Sequence, residues 1–362
     1  MRILYSAPDV RISDTHGGSA HVKGAIDSFK RLGHEVIIIE RRTDLKSFRN
    51  ILYCFFWPFF YTICLCIFNK IDIVYERARI FGGGAIVAGK LFRKKTILEC
   101  IEPYVELPIL TGKIKQPLTS VLRLHSKIVN NCSDLITITY PTMELGLPKE
   151  KCIIITTGAD PERFKPAEDN GKTILYIGSF ASWHACENMI KAMKIVCETI
   201  PKAKLVLVGE GEKVNTCKQL SNELNLEHNV NFVGGISQEK VPSIIGTATI
   251  CLALFDSKNY LPFQKFGYFY SPIKVHEYKA CGKPVIASDI GNLKELVKNN
   301  VNGFLVNESD IDEISSAIIK LLKNKKLRAK MGGTNRKEVL ETYNWDYVNK
   351  QILSRLVNKS TV

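Results

Sequence analysis

Apolar residues fall along this chain in short unbroken runs, separated by longer stretches in which they recur every three or four positions. Runs of four to six read as strands buried on both faces, and the three-to-four spacing reads as the buried stripe of a helix. From the amino end the pattern predicts a strand over 2–7, a helix to about Leu32 and a strand over 36–39. A crossover within 51–68, a strand over 72–77, a helix from 82–84 to about Phe92 and a strand over 96–99 follow. Next come a helix from about Thr119 to Asn130 and strands over 134–138 and 153–155. After a polar, proline-containing stretch at 161–171 the alternation restarts: strand 173–178, helix 186–199, strand 205–208, helix 213–224 and strand 230–233. The last third predicts a helix from Pro272, a strand over 285–287, a helix from about Leu293 and a strand over 303–306. Helices over 310–323, 325–342 and 345–358 complete it. Such alternation implies parallel sheets covered by helices on both faces. The 362 residues exceed what one core usually supports. Two α/β domains are therefore expected: residues 1–160, a linker over 161–171 and residues 172–342, followed by a final helix within 343–362.

Charge and cysteine narrow the class. The net charge of +14 is divided evenly, +7 over residues 1–160 and +7 over 161–362, so no single basic tail carries it. No zinc-finger, helix-turn-helix or aromatic RNA-binding pattern accompanies it, which argues against nucleic acid and leaves an anionic substrate or membrane surface as partner. Eleven cysteines without a C-x-x-C pair read as reduced thiols of a cytoplasmic protein. The run Ile51–Phe68 is uncharged, aromatic and broken by Pro58. It reads as a crossover helix between strands 36–39 and 72–77. Its edge, with Phe55, Phe56, Trp57, Phe59 and Phe60 behind Arg41, Arg42, Lys46 and Arg49, suits peripheral contact of segment 41–60 with anionic lipid.

Candidate chemistry concentrates in residues 271–291. Ser271 and Pro272 suit a helix start, Gly282 suits the left-handed position after its end, and Pro284 prevents continuation. Lys274 and Glu277, three apart, project from one face near the electropositive end of that helix. They are either a surface ion pair or part of an anion site. Asp289–Asn292 leads into the next helix, so two helix N-termini can converge on one ligand. A second glycine turn, His16-Gly17-Gly18-Ser19, opens the first helix. Gly82-Gly83-Gly84 reads as close packing. Asp310 and Glu313 match a helix capping box better than a metal motif.

The run S-P-x-K-x-x-E-Y-x-A-x-G-K-P-V-I-A-S at 271–288 resembles the donor-site helix of GT-B glycosyltransferases, specifically retaining family 4, the glycosyl transferases group 1. The resemblance extends to Gly178-Ser179, Gly209-x-Gly211, Gly234-Gly235-Ile236, Thr157-Gly158-Ala159-Asp160 and Tyr343-Asn344-Trp345. It implies two Rossmann-like domains with a cleft between them and transfer of a sugar from a nucleotide-diphosphate sugar to a glycan or lipid-linked acceptor hydroxyl. No metal and no further cofactor are expected. It implies that Glu277 holds ribose hydroxyls and Lys274 faces the phosphates. Gly178, Ser179, His184, Gly209, Gly235, Ile236, Ser271 and Gly291 join them around the donor, while His16, Gly17 and Gly18 form an acceptor-side loop. The family often places a polar group, commonly His, after the fourth strand; this chain has Glu99, Cys100 and Glu102, and Glu102 is the catalytic candidate there. Ser179 and His184 stand where Arg and Lys are usual, and Phe269 stands for the first of two glutamates. Lys274, with Lys265 as a further candidate, is then left to hold the phosphates. A catalytically silent nucleotide-sugar-binding subunit of a polysaccharide assembly complex is the alternative.

Overall fold

The computed structural model describes residues 1–14, 17–41, 48–141 and 146–358, with backbone alone for 48–52 and 358. The chain divides into two compact units, one of residues 1–157, 269–271 and 345–362, the other of 158–268 and 272–344. In the first unit β1 (Arg2–Ala7), α1 (Gly17–Arg31), β2 (Glu35–Glu40), α2 (Phe48–Ile67), β3 (Ile73–Arg77) and α3 (Gly84–Leu91) alternate strictly. They are followed by β4 (Lys95–Cys100), α4 (Glu106–Leu110), α5 (Leu118–Cys132), β5 (Leu135–Ile138) and β6 (Cys152–Ile154). All six strands are parallel, in the order β2-β1-β3-β4-β5-β6.

The second unit contains β7 (Thr173–Ile177), α6 (Cys186–Thr199), β8 (Lys204–Val208), α7 (Val214–Glu223), β9 (Val230–Gly234) and α8 (Val241–Thr247). It continues with β10 (Ile250–Ala253), α9 (Leu261–Phe266), α10 (Ile273–Ala280), β11 (Val285–Ser288), α11 (Leu293–Leu296), β12 (Gly303–Val306), α12 (Ile311–Lys323) and α13 (Lys325–Glu341). Its strands are also all parallel, in the order β12-β11-β10-β7-β8-β9. α14 (Trp345–Asn358) belongs to the first unit. In each sheet the order reverses once, between β1 and β3 and between β7 and β10, and open α/β sheets bind ligands beyond the strand ends at that point.

Small residues set the helix packing. A β-carbon at Gly24 would lie 2.2 Å from Trp345 Nε1, so glycine there lets α14 close onto α1. Asn349 donates to the Ala25 carbonyl at 2.9 Å, and Arg31 pairs with Asp346 at 2.8 Å across the same two helices. A β-carbon at Gly84 would fall 2.0 Å from the Phe55 carbonyl oxygen, and one at Gly83 would fall 2.5 Å from Val129, so the glycine triplet brings α3 against α2 and α5. Buried Glu76 accepts from the N–H groups of Gly83 and Ile86 at 3.2 and 3.0 Å, closing the open end of α3. Asp310 caps α12 by accepting from Glu313 N at 2.9 Å. The Glu313 carboxylate turns back to Asn307 N instead of the Asp310 N–H, so the capping box is only half made.

Several expectations change. The stretch 161–171 is part of the second unit: Phe164 is buried, and Arg336 donates to the carbonyls of Pro161 and Phe164. β10, α4, α8 and α9 were not foreseen; the unbroken apolar run Ile250–Leu254 was the available signal for β10. On α2, Phe56 and Phe60 are exposed, whereas Phe55 and Phe59 are half-buried, with the Phe55 ring against His125. Trp57 is half-buried between Tyr53 and Tyr61, and Arg41 pairs with Asp14 at 2.9 Å. Arg42 and Lys46, like the Arg49 side chain, lie outside the described residues. Among the described residues no helix is long and apolar enough to cross a membrane. A second exposed apolar row, Leu118, Val121, Leu124 and Ile128, runs along α5.

Candidate active site

The site in the second unit lies where its sheet reverses. Beyond β7 the chain bends at Gly178, and beyond β10 it carries Phe255, which meets His184 in an isolated antiparallel bridge. Gly178 N donates to the Val208 carbonyl and Gly209 N to the Gly234 carbonyl, each at 2.9 Å, so the turns after β7, β8 and β9 are locked backbone to backbone. Only glycine permits this. A β-carbon at Gly209 would sit 1.9 Å from the Gly178 oxygen, and one at Gly211 would sit 2.7 Å from the Phe180 backbone.

Lys274, the second residue of α10, reaches into this layer. A β-carbon at Gly178 would be 2.3 Å from Lys274 Nζ. The ammonium lies 4.4 Å from the Tyr176 ring centre and 5.3 Å from that of Phe255, a favourable cation–aromatic setting. His184 Nε2 is 3.5 Å away, and His184 Nδ1 is 3.4 Å from Ser179 Oγ. Burial first, and the Lys274 ammonium second, push His184 well below its ordinary range, so its ring is neutral. Burial lowers Lys274 to about 8 against the pull of Glu277. Burial likewise raises Glu277 to about 7, against Arg163 and Lys274.

Lys274 and Glu277 do not form an ion pair within 4 Å, and the Glu277 carboxylate makes no hydrogen bond to the described residues. The surface-pair reading therefore fails: among the described residues neither the Lys274 ammonium nor the Glu277 carboxylate has an ion-pair partner. A carboxylate so placed accepts hydroxyls, and an ammonium beside a helix N-terminus and a glycine turn accepts phosphate.

The structure thus gathers Gly178, Ser179, His184, Gly209 and Lys274, with Glu277 one turn further along α10. Gly235 packs beside Glu210, Ile236 is half-buried after β9, and Lys265 is exposed on α9. Ser271 does not cap α10. Pro272 precedes that helix without a side-chain cap, and the Ser271 hydroxyl takes the Thr157 N–H and meets Thr156 Oγ1, both at 2.9 Å. Gly291 has φ +46, and its place against the Tyr268 backbone is a packing role. α11 has only four residues, too short for the second helix field that was expected.

In the first unit Glu102 lines a cavity of about 520 Å³ with Tyr104, Arg123, Lys127 and Asn130. Glu99 is not available for chemistry. His21 meets it at 2.9 Å, and Tyr5 and Tyr75 donate to it at 3.2 and 2.6 Å. Although burial opposes ionisation, His21 and Tyr75 hold Glu99 at about 2. His125, read as a helix-face residue, packs between Phe55 and Phe81. Gly17 and Gly18 open α1, and His16 lies outside the described residues. The Tyr176 and Phe255 rings that hold Lys274 were not foreseen; no local spacing marks them.

Two parallel, doubly wound units make this the GT-B fold. The solved structure of Anabaena HepE in complex with UDP superposes with a TM-score of 0.72 at 15% identity, covering 99% of this chain and all of that one. Residues 159–338 match the family described as glycosyl transferases group 1. The second unit belongs to that family, and the chain is a glycosyltransferase. An uncharacterised glycosyltransferase of Methanocaldococcus jannaschii is 23% identical over 93% of both chains. A GDP-mannose-dependent monoacylated alpha-(1-6)-phosphatidylinositol monomannoside mannosyltransferase of Corynebacterium glutamicum is 29% identical, over 56% of this chain and 55% of that protein.

Replacing Glu277 by Gln is expected to weaken nucleotide binding by about 1–3 kcal/mol, the usual cost of losing a charged hydrogen-bond acceptor. The apo protein does not lose stability at pH 8. Glu277 is raised in the fold, so ionising it opposes folding as pH climbs from the unfolded carboxyl range through about 7, and Gln removes that opposition. Calorimetric titration and a melting curve check both. Unchanged affinity removes Glu277 from the site.

Proposed function

We propose that the chain transfers a sugar from a nucleotide-diphosphate sugar, with retention of anomeric configuration, to an acceptor hydroxyl in glycan or glycolipid biosynthesis. The observation that carries this reading is Lys274 and Glu277 on α10, without an ion-pair partner among the described residues and beside the glycine layer at the sheet reversal. UDP in the HepE complex and GDP-mannose in the name of the mannosyltransferase relative support a nucleoside diphosphate as the bound group. Glu277 holds the ribose. Lys274 and the amino end of α10 stabilise charge on the departing diphosphate, whose oxygen takes the acceptor proton. Glu102 stands on the acceptor side.

A thermal-shift screen against UDP-, GDP- and ADP-sugars tests the reading, followed by NMR of the product to read the anomeric outcome. Stabilisation without turnover, with acceptors supplied, favours the silent binding subunit. Neutral His184 and buried Phe269 at positions where charge is usual speak for that alternative.

We also place the chain peripherally at the cytoplasmic face of a membrane, since Phe56, Phe60 and Phe68 and the α5 row are exposed on a basic protein. The protein then floats with anionic vesicles and partly dissociates in high salt. Equal recovery with neutral vesicles, or none, returns these residues to ordinary surface.

A further inference from the structure

We propose that Tyr278, one turn after Lys274 on α10, is a positioning residue: its hydroxyl closes the open edge of β7 and so holds the Gly178 turn against the Lys274 ammonium. The placement is read from the second unit alone, and its bearing on sugar transfer rests on the glycosyltransferase reading above.

β7 is paired unequally on its two sides. Against β8 the register runs its full length, from Thr173 opposite Lys204 to Ile177 opposite Val208. Against β10 it covers only Ile174 and Leu175, opposite Ile250 and Cys251. The two strands part at the reversal of the sheet order. Successive N–H groups of a strand point to opposite sides, and Gly178 N donates to the Val208 carbonyl of β8 at 2.9 Å. The Ile177 N–H therefore faces the β10 side, beyond the last residue paired there. The Tyr278 hydroxyl accepts it at 2.9 Å and takes the place of the missing strand carbonyl.

Tyr278 is fully buried, and four positions separate it from Lys274, so both side chains rise from one face of α10. The residue that follows Ile177 is Gly178, where a β-carbon would be 2.3 Å from Lys274 Nζ. The Tyr176 hydroxyl ties the far side of the same turn by donating to the Ser179 carbonyl at 2.6 Å. Without its acceptor the Ile177 N–H needs water, which has a way in, because Ile177 and Gly178 are only half-buried and Ser179 is exposed. Water taken up there separates the turn from Lys274.

Tyr278→Phe keeps the ring and removes only the oxygen. Affinity for UDP or GDP, read by calorimetric titration, is expected to fall at least fivefold, while affinity for uridine or guanosine stays within twofold. Transfer loses at least tenfold in kcat/KM. The upper limb of the pH profile, held near 8 by the burial of Lys274, moves toward the ordinary lysine range as water reaches the ammonium. His184, Tyr176, Cys186 and Glu277, the titratable groups around that ammonium, are unchanged by the substitution. In Lys274→Met the further change Tyr278→Phe alters diphosphate affinity less than twofold, because both act through one group. A tyrosine that only supported the fold would weaken nucleoside and diphosphate alike and leave the limb in place. Should Tyr278→Phe fail to fold, 3-fluorotyrosine at 278, which keeps the hydroxyl and weakens its oxygen as an acceptor, decides by the same shift of the limb. Equal losses of nucleoside and diphosphate, an unmoved limb, or the full loss persisting in Lys274→Met overturns the positioning role and leaves the glycosyltransferase reading intact. A chain that binds nucleoside diphosphate without transferring sugar overturns that reading, and the binding cycle still decides on Tyr278. Absence of any nucleotide binding overturns both.

Discussion

Replacing Lys274 by Met lowers kcat/KM for sugar transfer by at least ~100-fold, about 2.7 kcal/mol of transition-state stabilisation. Met keeps the aliphatic stem between Tyr176 and Phe255 and deletes only the ammonium, so the change reads charge and not packing. Bare nucleoside affinity is barely altered. The pH profile gives a second check. Lys274 is held at about 8 and Glu277 at about 7, so kcat/KM rises as the carboxylate ionises near pH 7 and falls as the ammonium is lost near pH 8. In Lys274→Met the upper limb disappears. A bound diphosphate raises the lysine, so the upper limb of kcat moves to higher pH than that of kcat/KM. Near-normal transfer by Lys274→Met, with loss in His184→Ala or Lys265→Met, assigns the leaving-group charge elsewhere.

Gly209→Ala is expected to destabilise the second unit by roughly 2–6 kcal/mol, from backbone strain of 1–3 together with overpacking of 1–3. The methyl group has nowhere to go. It would stand 1.9 Å from the Gly178 oxygen, at a φ of +137 that side chains avoid. Because the Lys274 ammonium packs against the Gly178 turn, nucleotide binding is expected to fall with stability. Gly333→Ala is the control: it has open space on α13 and is neutral or slightly stabilising. Matching melting curves for the two variants would remove the locked glycine layer from the account.

Most of the α/β alternation was legible because parallel strands are buried on both faces and show as apolar runs, while helices show a stripe. Helix 186–199 and strand 303–306 fall where the pattern put them. α9 and α4 escaped because six or five residues give too little periodicity to read. The motif around Lys274 and Glu277 was readable as a phrase, but its surroundings were not. Tyr176, His184 and Phe255 come from three separate places in the chain and meet Lys274 only because β7 and β10 are neighbours.

The amino-acid sequence by itself determined the repeating strand and helix units, most of their limits, and the presence of a lysine and a glutamate on one face of α10. These depend on local spacing and on residues such as Gly282, whose φ of +66 ends that helix. Tertiary structure alone decided which charges are satisfied. Glu99 is consumed by His21 and two tyrosines, Ser271 is drawn to Thr157, and Lys274 meets His184 instead of Glu277. The physical reason is that a charged group's state depends on burial and on partners within a few ångströms. Those partners lie far away along the chain, 114 positions in the case of Thr157 and Ser271, so no local pattern announces them.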